Sequence, residues 1–262
     1  MAEIPRQIID DATAGINGLS EGMKAALRAE LESVDFTDLA DAERQIVAIM
    51  NTYCAGATDA AAMISARMYE ECRAVAIPGE SYSALVDSGR KNLATEKAVH
   101  SFFEVDDFDA AALIEKLVGR LDFEVKRAAG DCIFENGRRD KKKPRYARIA
   151  SGSETCGFCL MLASRGFVYT TANAAGDLNH YHANCDCRVV PSWKGTSLQG
   201  YDPQAMYDRW QAVIDEEAKK RAERKGTSED EERKAITSAY ARSAESAKAK
   251  ARGRRALDQT GN

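Results

Sequence analysis

A dense cluster of soft metal ligands constrains this chain more than any other feature. Four of its seven cysteines (Cys156, Cys159, Cys185 and Cys187) and two of its three histidines (His180 and His182) fall between residues 156 and 187 of 262. Cys156-Gly157-Phe158-Cys159 sets two thiols at the spacing that bends round one face of an ion. His182-Ala183-Asn184-Cys185-Asp186-Cys187 can close a tetrahedron from the other side. The expectation is a small module stapled by structural zinc, with Cys156, Cys159, His182, Cys185 and Cys187 competing for four positions. Spacing does not choose between His182 and Cys187 for the last of them. Asp186, a harder donor, suits orienting the ligands better than binding.

Three other readings compete with zinc. Cys-Gly-Phe-Cys before the helix-compatible Leu160 to Ala163 suggests a redox pair, although no βαβ pattern surrounds it. Asn179-His180 with His182 suggests a metal-dependent nuclease in which His180 or His182 activates water, although no second site of hard carboxylate ligands accompanies them. The bland reading leaves the thiols unmetallated.

Outside the cluster the chain is written mainly in helix. It is rich in alanine and charge, has only five prolines, and carries a mild net charge of -4, which excludes a strongly basic nucleic-acid binder overall. Met1 to Gly18 lacks the basic start, apolar run and small-residue cleavage site of a secretory signal, and no window approaches the apolar length of a membrane span. Clustered cysteines in such a chain point to metal or redox chemistry rather than a disulfide framework.

Three regions are expected: a helical platform over 1–143, a Cys/His module over 144–200, and C-terminal helices with a basic tail over 201–262. In the first, Gly15, Gly18 and Gly22 predict two short helices over 5–33, the second starting near Ser20. Ile46, Met50, Cys54, Ala57, Ala61, Ile64 and Met68 predict a long helix over 38–76 that Ile77-Pro78-Gly79 stops. One or two more helices are expected over 81–103, with His100 packed or at the surface. Ile114, Leu117, Leu121, Val125, Ala128 and Cys132 mark a strongly amphipathic helix from Asp107 to about Asp140. Cys54, Cys72 and Cys132 read as packed apolar residues.

The run Arg138 to Lys143 before Pro144 reads as a solvated linker, or as a phosphate contact beside the module. In the module, short strands are expected at Tyr146 to Ile149, Phe167 to Thr171 and Arg188 to Val190, with bound zinc supplying much of the folding free energy. Asp202-Pro203 opens a helix to about Lys225, and Thr227 or Ser228 caps another from Glu229. Beyond it Lys248, Lys250, Arg252, Arg254 and Arg255 form a run without acids.

The segments 145–152, 155–159, 163–166 and 181–191 resemble the C-terminal module of the phage Mu F-type minor head proteins. The version found in tailed phages and prophages of actinobacteria is especially similar. The order of cysteines and histidine is the specific part, and Ala66 to Arg73 in the helical region also fits. The resemblance implies a minor capsid protein that acts in head assembly and in DNA packaging or exit, and not an enzyme. Its implied partners are the phage portal and capsid proteins; self-association of the helical platform and a weak contact of the basic tail with packaged DNA are expected from pattern and charge, and no membrane is expected. The implied location is the virion, reached from the host cytoplasm. The implied fold is mainly α: an elongated helical N-terminal region, a small α+β module stapled by zinc, and a helical C-terminal tail.

Overall fold

A computed structural model of the protein describes residues 2–89, 92–104, 108–151, 155–170 and 187–242. The chain divides into two compact units, one built on Gln7–Asp140 and the other on Met1–Arg6 with the described residues from Lys141 onward.

In the first unit, apolar residues recur at steps of three and four along long helices. Helix α1 (Arg6–Leu31) buries Ile9, Ala12, Ile16, Leu27 and Leu31 along one stripe. It is a single helix rather than the two short ones expected. Each interior glycine costs about 1 kcal/mol against alanine, but Gly18 and Gly22 have open space around them and Gly15 lies in ordinary contact with Ile64. Burial of the stripe outweighs the glycine cost. Helix α2 (Leu39–Ala76) begins where the Asp38 carboxylate accepts from the amides of Ala40 and Asp41 and ends ahead of Pro78, with Gly79 at φ +86°. Helix α4 (Ala110–Arg139) is capped the same way by Asp109, and these caps satisfy amides that the first turn leaves open.

The core of this unit joins Ala42, Ile46, Met50, Cys54, Ala57 and Ala61 of α2 to Leu113, Leu117, Leu121 and Val125 of α4. Val99 of α3 (Asn92–Phe103) and the inner stripe of α1 complete it. Ser20 of α1 also donates to the buried Asp122 of α4 at 2.7 Å.

Residues 80–89 are not helical, because their backbone bonds go elsewhere. The buried side-chain amide of Asn136 accepts from the Leu85 amide at 2.7 Å and donates to the Leu85 carbonyl at 2.8 Å. The Glu70 carboxylate takes the Ala84 amide at 2.7 Å. At the end of α4, buried Asp140 accepts from Arg73 at 2.8 Å and from the Tyr69 hydroxyl at 3.0 Å. A buried carboxylate paired and hydrogen-bonded in this way avoids the cost of an isolated buried charge.

The second unit is assembled from short pieces. Strand β1 (Ala2–Ile4) runs parallel to β4 (Thr196–Leu198). Strands β2 (Arg145–Ala150) and β3 (Cys187–Ser192) form an antiparallel pair with Ala147 opposite Val190, and every residue of β3 is buried. The expected strand at Phe167 to Thr171 is reduced, as far as residue 170, to one bridge in which Tyr169 and Tyr146 exchange backbone bonds. Between β2 and β3 lies the short helix α5 (Gly157–Ala163). Helix α6 (Pro203–Lys225) starts at Asp202-Pro203 and stops at Gly226, φ +71°, the left-handed position glycine suits. Residues 229–242 are again helical, and Ile236 and Tyr240 pack on Trp210, Ile214 and Ala218 of α6.

The architecture is therefore largely helical with two small sheets. The expected metal staple is not part of it: among the described residues no group of three or more His, Cys, Asp or Glu side chains is placed to hold a metal ion. No helix of the described residues is long and apolar enough to cross a membrane. The basic run at 248–255 lies outside the described residues.

Candidate functional site

The site with chemistry-bearing side chains is built where α5 meets the β2–β3 pair. Cys156 is the cap of α5, and its Sγ accepts from the Cys159 amide at 3.4 Å. Gly157 follows because nothing larger fits: a Cβ there would lie 2.6 Å from the Tyr240 hydroxyl and 3.4 Å from Val213. The ring of Phe158 sits tilted against Tyr240, with 6.4 Å between centroids. Burial, followed by the neighbouring Cys156, raises the Tyr240 phenol above its ordinary pKa.

Cys159, Leu160, Leu162 and Ala163 turn inward and are fully covered. Two tyrosines hold the far end of the helix. The Tyr169 hydroxyl donates to the Leu162 carbonyl at 2.9 Å, and the Tyr201 hydroxyl donates to the Ala163 carbonyl. Burial pushes the Tyr169 phenol up to about 12 and that of Tyr201 further still. Both therefore stay neutral donors, adding to the backbone bonds that the Arg165 and Gly166 amides make to the same carbonyls.

Cys187 opens β3 opposite Ala150 of β2. Residues two apart along a strand share a face, so Arg148 is the diagonal neighbour of Cys187 on that face. Its guanidinium donates to Cys187 Sγ at 2.7 Å. Arg148 is 1% exposed, one of the largest fully buried side chains in the protein. Cys159 Sγ lies 3.0 Å from the same sulfur.

Of the five expected metal ligands, the structure thus joins Cys159 to Cys187 and places Cys156 at the cap of the same helix. His182 and Cys185 lie outside the described residues, as does His180. The zinc expectation is corrected on geometry. Two thiolates on a tetrahedral zinc, each about 2.3 Å from the ion, stand about 3.8 Å apart. The 3.0 Å separation of Cys159 and Cys187 is shorter than that, the Arg148 guanidinium donates to the Cys187 sulfur, and no group of three or more potential ligands is assembled among the described residues. The nuclease expectation loses its support too, since the described residues assemble no metal-holding group with any histidine. His100 is exposed and bonds Glu43 at 2.8 Å, and that bond raises its pKa.

The remaining cysteines are packing residues. Burial pushes the Cys54 thiol up to about 11 and that of Cys72 up to about 12, and it raises Cys132 as well. Arg148, Tyr169, Tyr201 and Tyr240 escaped sequence reasoning. Only the register of β2 on β3 identifies Arg148 as a partner of Cys187, whereas the alternation of Tyr146, Arg148 and Ala150 marks it as lying on one strand face.

The chain is similar to the Gene 15 protein of Mycobacterium phage L5, with 33% identity over 22% of this chain and 32% of that protein. It is similar to the Gene 15 protein of Mycobacterium phage D29, with 32% identity over 21% of this chain and 32% of that protein. The match therefore spans about a third of the length of either relative. No solved structure matches. The sequence profile of the VG15 protein family matches residues 3–213, and the chain belongs to that family.

Proposed function

We propose that this protein is a structural component of a tailed-phage particle, of the F-type minor head class, and that it works by binding rather than by turnover. The observation that carries the proposal is the reach of the family match. Residues 3–213 include every helix of the first unit as well as the α5, β2 and β3 site, and both curated relatives come from mycobacteriophages. The motif resemblance over 145–191 supports the minor head class within that setting.

On this reading the portal and capsid proteins are the partners, and the location is the virion, reached after assembly in the host cytoplasm. The first unit is a helical body with an apolar core, and the second holds a fully buried strand and a helix pair joined by apolar contacts. Self-association and a weak contact of residues 248–255 with packaged DNA belong to the same proposal and rest on charge and pattern alone. The test is co-expression with the portal protein encoded in the same phage genome. Co-purification through size exclusion, with added DNA left intact, is the expected result. A portal that assembles and elutes without this chain would overturn the portal assignment.

A further inference from the structure

The close approach of two buried thiols beside a guanidinium has a chemical use that the proposed function does not absorb. Cys159 and Cys187 are 1% and 0% exposed, their sulfurs are 3.0 Å apart, and they come from different elements, the helix α5 and the strand β3. The Arg148 guanidinium donates to the Cys187 sulfur at 2.7 Å. Thiol–disulfide exchange proceeds through a thiolate attacking a disulfide sulfur. Cys156, three residues before Cys159, is partly exposed and receives the Cys159 amide on its sulfur.

We infer that Cys159 and Cys187 are a thiol pair that a small-molecule disulfide converts into a bond joining α5 to β3, with Cys156 as the entry point. In the first step the Cys156 thiolate attacks one sulfur of the reagent disulfide. The reagent's S–S bond breaks, and one reagent thiolate leaves and takes up the proton that Cys156 released. The Cys159 thiolate then attacks Cys156 Sγ and expels the second reagent thiolate, which is protonated in turn. Finally the Cys187 thiolate, held by Arg148, attacks Cys159 Sγ and returns Cys156 to the thiol. One reagent disulfide is reduced to two thiols and two protein thiols are oxidised to one disulfide, so electrons and protons balance. The pairing stands on the geometry of α5, β2 and β3 and is independent of the particle in which the protein works.

The same geometry sets this pair apart from the redox reading of Cys-Gly-Phe-Cys alone. In that reading the stable product is Cys156–Cys159; here it is a transient, because a third thiol lies against Cys159. The test uses the full chain treated with oxidised glutathione, followed by alkylation with N-ethylmaleimide, trypsin digestion and mass spectrometry. Cys156 and Cys159 share one tryptic peptide and Cys185 and Cys187 share another, so the double variant Cys156→Ser/Cys185→Ser isolates the proposed bond. A cross-link between the two peptides in wild type and in the double variant is expected. It should form at least about tenfold more slowly once Cys156 is gone, because two buried thiols lose their exposed relay. Its loss in the single variant Cys187→Ser, which keeps Cys185 in the same peptide, is also expected. A wild-type product confined to Cys156–Cys159, or no cross-link in Cys185→Ser with Cys156 intact, overturns the pairing. An unchanged rate with Cys156→Ser overturns the relay.

Discussion

The two units of this protein are stabilised in different ways, and the difference explains which parts of the chain could be read in advance. In the first, one kind of interaction is repeated many times: a residue every third or fourth position on α2 and α4, each buried against the same core. In the second, several unlike interactions occur once each. A buried arginine meets a sulfur, a glycine admits a tyrosine hydroxyl, and two phenols hold the last carbonyls of α5. Repetition makes the first unit strong and its sites alike, whereas in the second each contact has its own measurable signature.

The largest effect should therefore come from the repeated core. Leu117→Ala removes a side chain that is 0% exposed, and urea unfolding should show a loss of about 2–5 kcal/mol from transfer and cavity terms. A loss below about 1 kcal/mol would mean that α4 is not the core element described. Gly157→Ala comes next. Its Cβ would stand 2.6 Å from the Tyr240 hydroxyl, and overpacking of this kind costs about 1–3 kcal/mol. Tyr240→Phe removes the clashing oxygen and should recover much of that loss in the double variant. Additive losses would show that the two residues do not touch.

A smaller effect is expected from Tyr169→Phe, which leaves the Leu162 carbonyl without its 2.9 Å donor and should cost about 1 kcal/mol. The smallest belongs to His100. The Glu43 carboxylate raises its pKa, so this exposed pair stabilises the fold below the imidazole's unfolded value and loses its contribution as pH rises through the folded one. In an NMR titration of the ring proton, Glu43→Gln should move the midpoint downward. An unmoved midpoint would remove the contact.

Legibility follows the same division. The stripe from Ile46 to Ala61, the stop at Pro78-Gly79 and the start at Asp202-Pro203 are local signals, and all three are where the pattern puts them. Gly15, Gly18 and Gly22 misled because their cost is local while the burial that overcomes it lies across helices. Residues 80–89 hid their structure for a related reason: a side chain 51 positions away supplies the bonds at Leu85. In the site, spacing grouped Cys156, Cys159 and Cys187 as metal ligands; the structure brings Cys159 against Cys187 and sets Cys156 at the cap of α5, and spacing does not say which sulfurs touch. Zinc was the natural inference from ligand type; the contact with Arg148, set by strand register, is what the sequence does not print. His182 and Cys185 remain expectations of spacing alone, since they lie outside the described residues.

The helical unit and the thiol-bearing unit fall under one family match, and the central claim is that together they serve a phage particle. Quantitative mass spectrometry of purified particles tests it most directly, comparing DNA-free precursors with filled heads of the phage that encodes the chain. The account predicts the chain in both, at a small number of copies per particle and in fixed ratio to the portal protein. Particles that contain portal and major capsid protein but lack this chain would contradict it.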